Sequence, residues 1–519
     1  MSISNAGFPY LSLLTVLPLL GAFIVAILPR SRPNLAKQVA LLFSLAVFGL
    51  FIAAWVAYDA NGPRLQLRES YPWIPTWDVR FTFAVDGIAL VMLALIAVFV
   101  PLVILYSWNE IQTETGVAPK RSVNAYFALL LALESTMIGV FASADVFLFY
   151  VFFEVMLVPM YFLIGSYGGA RRQYAAVKFF LYSLVGGLFM LAAVIALWVL
   201  GGHTFDWATL TTVDFSTGAE RWLFLGFFVA FAIKAPFFPF HTWLPDAGGA
   251  APAGAAALLV GVLDKVGTFG ILRYCLPLFP NASKFFAPLA LALALVGIIY
   301  AALLAVGQND LKRLVSYTSI AHFGFIGIGI FAFTVQAGSG AVLYMFNHGL
   351  ATGLLFLVVG MLVSRRGSAL VGDFGGAGKY LPILAGVLFF AGLASLALPG
   401  TAPFVSEFLV LIGTFTVNKT VAIVATTGII LAAGYVLWMV QRTVQGTPNE
   451  ELAAIRPMRK DLSLREGLVV APLIALLLFF GFYPKPLLDV INPAVAATLH
   501  DFGKSDPAPT VPTVQEAGK

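Results

Sequence analysis

The sequence has little charge and almost no cysteine. Charged residues make up 11% of the 519 residues, whereas a typical soluble domain has about 25%. A water-facing protein needs more surface charge than this. The 60% hydrophobic content and the mean hydropathy of +0.93 therefore indicate that the bilayer is the solvent. One cysteine, Cys275, excludes a disulfide framework and an iron–sulfur cluster held only by thiolates of this chain. The histidines and this cysteine have no metal-ligand spacing, so we predict no metal site.

Long apolar runs recur along the chain. Runs of about 20 mostly apolar residues cross the hydrocarbon core of a membrane, and the sequence contains fourteen of them. They predict an all-α polytopic membrane protein with about 14 transmembrane helices. The predicted spans are 8–28, 37–58, 86–107, 123–141, 145–166, 175–200, 222–243, 252–272, 285–307, 313–334, 341–363, 381–415, 419–441 and 466–483. The first run is too long for a signal-peptide core, so we expect it to be retained.

The basic residues are distributed unequally between alternate loops. One loop set carries 17 of the 30 Lys and Arg, the other set and the C-terminal tail carry 10, and Lys178, Lys234 and Lys265 lie inside spans. The positive-inside rule then places both termini on the outer, periplasmic side of a bacterial inner membrane. The pI near 9.1 reflects these loops and predicts no nucleic-acid partner. The tail from Asp501 onward is rich in Pro and Thr, and we expect it to be disordered.

Several ionisable residues are predicted to lie deep in the membrane. Glu154, Lys234 and Lys265 lie about nine to thirteen residues into their spans, near the midplane at 1.5 Å per residue. His322 and His348 add titratable groups in spans ten and eleven. Inserting a charged side chain at the bilayer centre costs about 2.5–3.5 kcal/mol of free energy, so such a residue usually has a function. The alternative is that each charge only pairs with a neighbour and holds the helices together. The presence of several ionisable residues at similar depth favours proton transfer.

Two other carboxylates lie in the predicted spans. Glu134 lies in span four with no evident lysine partner. Asp264 precedes Lys265, and consecutive residues of a helix point about 100° apart. We therefore expect Asp264 to face a different neighbour.

Prolines interrupt two of the predicted spans. Span seven contains Lys234-Ala235-Pro236-Phe237-Phe238-Pro239-Phe240-His241, and the overlong span twelve contains Pro399-Gly400-Thr401-Ala402-Pro403 followed by Glu407. Proline removes a helical hydrogen bond, and freed backbone at membrane depth is tolerated only within protein or beside a wet cavity. These spans are five apart and cross in opposite directions, which predicts two inverted five-helix repeats. The predicted divisions are 1–122 (helices 1–3), 123–272 (first repeat), 285–441 (second repeat) and 442–519 (loop, helix 14 and outer tail).

The segment around the first break carries a family resemblance. Phe231-Ala232-Ile233-Lys234-Ala235-Pro236-Phe237-Phe238-Pro239-Phe240-His241-Thr242-Trp243-Leu244-Pro245-Asp246-Ala247 resembles the antiporter-like membrane subunits of proton-pumping NADH:quinone oxidoreductase, respiratory complex I. The resemblance extends over nearly the whole chain, and it includes Val151-Phe152-Phe153-Glu154 with Pro159, Asp264-Lys265 and Ser406-Glu407-Phe408. The glutamate at 407 is similar to one branch of that family, whose sister branches carry lysine.

The resemblance implies roles for the buried residues. Glu154 and Lys234 would form a switching ion pair, Lys265 would be the central proton carrier, and Glu407 would be the terminal carrier leading outside. The lower-ranked relay or hydration partners would be His241, His322 and His348. By span position, we expect Lys265 and His322 near the midplane, with His348 and Glu407 nearer the outer face.

The resemblance also implies cofactors and partners. No cofactor would bind this chain, and FMN, iron–sulfur clusters and quinone would bind partner subunits. Sister antiporter-like chains would lie on either side in the lipid bilayer, and protons and internal water would be the moving species. Two alternatives stay open: a subunit of a multisubunit sodium/proton antiporter, which shares the lysine motif, and a structural scaffold whose charges only hold helices together.

Overall fold

The computed structural model describes residues 3–113, 122–455, 458 and 460–503. Within these residues, twelve helices are long and apolar enough to cross a membrane, and two further predicted spans are each broken into two shorter helices. In chain order they are α1 (Tyr10–Ile27), α2 (Pro33–Ala57), α3 (Gly87–Tyr106), α4 (Val123–Ala142), α5 (Val146–Tyr167), α6 (Arg172–Leu200), α7a (Thr217–Lys234), α7b (Trp243–Ala250), α8 (Ala253–Leu278), α9 (Pro280–Val306), α10 (Leu311–Phe331), α11 (Val335–Arg366), α12a (Pro382–Ser395), α12b (Ala402–Phe415), α13 (Lys419–Thr443) and α14 (Leu464–Phe482). The predicted helical, multi-pass membrane fold is confirmed.

Both predicted helix breaks are present. Helix α7a ends at Lys234, directly before the segment that contains Pro236 and Pro239, and α7b resumes at Trp243. The broken helix therefore continues to Ala250, beyond the predicted end at 243. Helices α12a and α12b are separated by a turn in which Gly400 has a φ of 94°, a left-handed conformation that suits glycine.

Two further helices are distorted, and neither distortion was predicted. Helix α5 is interrupted at Met156, where Pro159 cannot donate to the carbonyl of Val155 one turn earlier. Helix α8 contains two π-helical turns, Leu259–Leu263 and Ile271–Cys275. Such turns are often found at functional sites. The irregularities in α5 and α8 lie beside Glu154 and Lys265.

The helices divide into a buried centre and an apolar perimeter. The membrane-crossing windows of α8 and α11 are 100% buried within the protein, and that of α10 is 94% buried. The corresponding windows of α1, α2, α6, α9, α13 and α14 are only 22–39% buried. The perimeter helices present their apolar sides to lipid, so the central helices can carry polar groups that lipid would not tolerate.

A small sheet and an amphipathic helix lie outside the membrane spans, and the sequence reasoning missed both. Strand β1 (Ile3–Asn5) pairs in parallel with β2 (Leu65–Ile74), which forms an antiparallel hairpin with β3 (Val79–Val85). Helix α15 (Lys485–Asp501) follows α14 and packs against α3 and α11. Asp501, where we predicted a disordered tail to begin, ends α15 and forms an ion pair with Arg64.

Some predictions about basic residues need correction or lie outside the described part. Arg273 is one of the ten basic residues that we counted in the outer loops and tail, but it lies in the second π-turn of α8, where its Nη2 is 2.7 Å from Asp86 Oδ1 in a buried ion pair. The loop and tail residues that lie outside the described residues are Lys120, Arg121, Arg456, Arg459, Lys504 and Lys519.

Candidate functional site

Glu154 occupies a space left by a glycine on the neighbouring helix. It lies near the irregularity in α5 and faces Gly187 of α6, where an alanine Cβ would be 1.6 Å from Glu154 Oε1. Only a residue without a side chain can stand at position 187 while the carboxylate keeps this position.

Lys234 lies close to aromatic rings and does not contact Glu154. Its Nζ is 5.1 Å from the ring centre of Phe153 and 5.6 Å from that of Phe179, within the range of cation–π attraction. Glu154 Oε1 and Lys234 Nζ are both buried, and neither has a hydrogen-bond partner in the part of the chain that the structure describes. The structure therefore places the two predicted partners near the same part of α6, but with their ion pair open.

Lys265 is held by three oxygen or nitrogen acceptors at the centre of α8. Its Nζ is 2.7 Å from His348 Nδ1 and 3.1 Å from Asp264 Oδ1, and it donates a hydrogen bond to the carbonyl of Val260. The π-turn explains this last contact, since the Asp264 amide bonds to Leu259, five residues back, and leaves the Val260 carbonyl for the ammonium.

The predicted separation of Asp264 from Lys265 is wrong. We expected consecutive residues to face different neighbours, but their side chains form an ion pair in which both are fully buried. The π-turn directly before them changes the local helical rotation, and the long lysine side chain can fold back onto its neighbour.

A row of contacts leads from Lys265 to Glu407. The ring centres of His348 and His322 are 5.4 Å apart. His322 Nδ1 is 2.7 Å from the hydroxyl oxygen of Tyr344, which donates a 2.8 Å hydrogen bond to Glu407 Oε2. All of these side chains are buried. We call this set, Lys265, His348, His322, Tyr344 and Glu407, the central row.

The order within the central row differs from the predicted one. We placed His348 near the outer face, beyond His322, but it directly contacts Lys265. The predicted span began at residue 341, whereas α11 begins at Val335. His348 is therefore about 20 Å along its helix, at 1.5 Å per residue, and not close to its end.

Sequence reasoning missed Tyr344, the link between His322 and Glu407. A usable signal was present, because Tyr344 is four residues before His348 and lies on the same face of α11. A tyrosine hydroxyl can both donate and accept a hydrogen bond, which is what this position requires.

Two other predicted titratable residues lie outside the central row. His241 is in the turn of the broken α7, with ring centres 5.8 Å from Phe238 and 5.3 Å from Tyr300. Glu134 accepts a 3.2 Å hydrogen bond from Ser44, and its other carboxylate oxygen has no partner in the described structure.

Lys178 participates in a contact between the two predicted repeats. Asp246 on α7b is 2.7 Å from Lys178 Nζ on α6 and 2.5 Å from Arg313 Nη1 on α10. The group borders a cavity of about 210 Å³ that opens to the surface. One carboxylate thus joins a helix of each repeat at the end of the bundle opposite the sheet.

The chain resembles known proteins along nearly its whole length. The family model described as "NADH:quinone oxidoreductase/Mrp antiporter, TM" matches residues 143–432, more than half of the chain. NADH-quinone oxidoreductase subunit M of Mycobacterium tuberculosis is 46% identical, over 97% of this chain and 96% of that protein.

Two solved structures share the architecture. A chain of respiratory complex I from Thermus thermophilus with bound NADH has a TM-score of 0.84 at 30% identity, covering 95% of this chain and 100% of that chain. A chain of the Mrp complex from Dietzia sp. DQ12-45-1b has a TM-score of 0.82 at 21% identity, covering 95% and 98%. The second likeness shows the fold alone.

Proposed function

The chain belongs to the family of antiporter-like M subunits of NADH:quinone oxidoreductase, and on this basis we propose that Glu154, Lys234, Lys265 and Glu407 carry the protons that such a subunit translocates. It is a proton-translocating membrane subunit of respiratory complex I. The redox reaction that drives it takes place on other subunits, which bind the FMN, iron–sulfur clusters and quinone. Sister antiporter-like chains flank this one in the membrane.

The observation that carries the proposal is the central row. The Lys265 ammonium gives a proton to His348 Nδ1 at 2.7 Å. Each histidine accepts at one ring nitrogen and releases from the other. The Nε2 atoms of His348 and His322 are both buried and have no hydrogen-bond partner in the described structure, so the next transfer runs between them. Tyr344 accepts from His322 and passes its hydroxyl proton to Glu407.

Glu154 and Lys234 act before this row as a switch. Asp264 interacts electrostatically with both Lys234 and Lys265. A change in the charge or position of one lysine therefore changes how strongly Asp264 stabilises the ammonium of the other. When Lys234 moves from the rings of Phe153 and Phe179 to Glu154, the attraction between Lys234 and Asp264 weakens. The ion pair that Lys265 already forms with Asp264 is then strengthened, which keeps the proton on the Lys265 ammonium, and the opposite movement favours release of that proton.

The direction of transport is from the cytoplasm to the outer side. The basic residues of the larger set that the structure describes lie in loops, or near the adjoining helix ends, at the end of the bundle that carries Lys178 and Arg313, which supports a cytoplasmic location for that end. Strand β1 and helix α15 lie together at the opposite end, next to the start of α3, which supports an outer location for both termini. Helix α12b carries Glu407 towards this outer end.

A sodium/proton antiporter subunit shares the fold, the family model and the lysine motif, but the 46% identity over 97% of the chain is to subunit M of NADH-quinone oxidoreductase. A scaffold would need its buried charges paired, yet Glu154 Oε1 and Lys234 Nζ have no hydrogen-bond partner within the described ranges of the chain.

The test is proton pumping by the whole complex after removal of the Lys265 charge. Lys265→Met alone would leave Asp264 buried and unpaired, which can cost about 3–5 kcal/mol. The Lys265→Met/Asp264→Asn variant removes both charges, and Lys419→Met, at the exposed start of α13, is the control. We expect normal assembly on native gels and loss of NADH-driven pumping in proteoliposomes for the double variant only. Pumping at the rate of the control would refute the role of Lys265.

A further inference from the structure

We propose that the hydroxyl of Ser183 relays protons between Lys234 and Glu154. This inference rests on the proposed function, because it assigns the step that joins two residues of that pathway. It adds a catalytic residue that neither the sequence motifs nor the contacts of the central row include.

Ser183 lies on α6 between the places where the two charged side chains contact this helix. Phe179, Ser183 and Gly187 follow one another at intervals of four residues, and thus share one helix face. Lys234 Nζ is 5.6 Å from the Phe179 ring centre, and Glu154 Oε1 fills the space beside Gly187. Along the helix axis, the backbone position of Ser183 is about 6 Å, one helical turn, from those of Phe179 and Gly187.

The packing of α7a against α6 places Lys234 level with Ser183. A Cβ at Gly186 would be 3.2 Å from the Ala230 Cα, and a Cβ at Gly226 would be 2.6 Å from the Ala193 Cβ. The residue number rises along α7a as it falls along α6, so the helices are antiparallel. Lys234 is one turn after Ala230 and therefore lies opposite the turn of α6 that precedes Gly186, which contains Ser183.

Three buried polar atoms in this region have no hydrogen-bond partner among the described residues: Ser183 Oγ, Glu154 Oε1 and Lys234 Nζ. Ser183 is only 2% exposed. A buried hydroxyl without a hydrogen bond costs about 1–3 kcal/mol, so alanine would serve better if this position only required packing. A serine hydroxyl can accept one proton and donate another at the same time, and proton transfer between an ammonium and a carboxylate requires both.

The step is balanced. The Lys234 ammonium loses a proton to Ser183 Oγ as a new O–H bond forms, and the original Ser183 O–H bond breaks to give its proton to the Glu154 carboxylate. The products are a neutral amine, a neutral carboxylic acid and an unchanged hydroxyl. The reverse transfer restores both charges.

The experiment compares Ser183→Ala and Ser183→Thr in the assembled complex. Ser339→Ala on α11 is the matched control, because Ser339 is also 2% exposed and its Oγ also lacks a hydrogen-bond partner among the residues that the structure describes. We expect Ser183→Ala to assemble normally and to slow NADH-driven pumping by about 100-fold, the lower end of what a positioned proton-transfer group contributes. Its solvent deuterium isotope effect should exceed that of the control, and threonine should restore most of the rate. Pumping of Ser183→Ala at the control rate, or equal losses in the alanine and threonine variants, would overturn the relay.

Glu154→Gln, measured in the same membranes, separates this inference from the proposed function. If Glu154→Gln abolishes pumping while Ser183→Ala pumps normally, only the relay is wrong. If Glu154→Gln itself pumps normally, the proposed role of the pair fails.

Discussion

Replacing Gly187 with alanine should displace the Glu154 carboxylate without removing any ionisable group. Gly187 lies in the middle of α6, where its lack of a side chain leaves room for Glu154. The substitution therefore tests whether the position of this carboxylate matters, separately from its charge.

The size of the effect follows from the packing. The new Cβ would be 1.6 Å from Glu154 Oε1 and 2.6 Å from its Cδ, whereas ordinary contacts begin at 3.4 Å. The carboxylate must therefore move by about 2 Å, at a cost of about 1–3 kcal/mol for a forced rotamer change. A misplacement of about 1 Å can slow a positioned reaction by about 100-fold. Alanine is also favoured over glycine by about 1 kcal/mol within a helix, which offsets part of the packing cost and preserves assembly.

The assay is NADH-driven proton pumping in proteoliposomes, with assembly measured on native gels. Gly434→Ala on α13 is the control, because nothing lies within 4 Å of the position that its Cβ would occupy. We expect Gly187→Ala to pump about 100-fold more slowly than this control. Shortening the acid with Glu154→Asp in the Gly187→Ala background should recover part of the rate. Equal pumping by Gly187→Ala and Gly434→Ala would refute the reasoning.

Three further predictions concern the exit, the outer end of the bundle and the topology. Tyr344→Phe removes the hydroxyl that donates to Glu407 and should stop pumping in complexes that still assemble; normal pumping would exclude this hydroxyl. Arg273→Met leaves Asp86 buried without its ion pair, at a cost of about 3–5 kcal/mol, so native gels should show less assembled complex than for Arg273→Lys, and unchanged amounts would contradict this. Reporters fused at the C-terminus and in the loop between α13 and α14 should label the outer side and the cytoplasm respectively; labelling of a single side would contradict the orientation.

The sequence allowed the broken helices and most of the charged site to be predicted, because proline and intramembrane charge have strong local consequences. Pro236 and Pro239 interrupt α7 through their own backbone chemistry, whichever helices surround it. Lys265 and Glu407 are conspicuous because their surroundings are otherwise apolar.

Features that depend on packing could not be predicted in the same way. The π-turn at Leu259–Leu263 has no proline and reads as an ordinary apolar helix, so the contact between Asp264 and Lys265 was missed. The predicted position of His348 was wrong because the predicted start of α11 was six residues too late. The open state of the Glu154–Lys234 pair depends on the rings around Lys234, which the sequence does not position.

The central claim is that protons leave through Glu407, and the ratio of protons pumped to NADH oxidised tests it most directly. Glu407→Gln can still accept a hydrogen bond from Tyr344 but cannot ionise, whereas Glu407→Lys restores a titratable group. Both variants should be measured in assembled complexes, with an uncoupler control. We expect the ratio and the coupled rate to fall strongly for glutamine and to recover in part for lysine. A normal ratio at a normal rate in Glu407→Gln would show that protons leave the central row by another route.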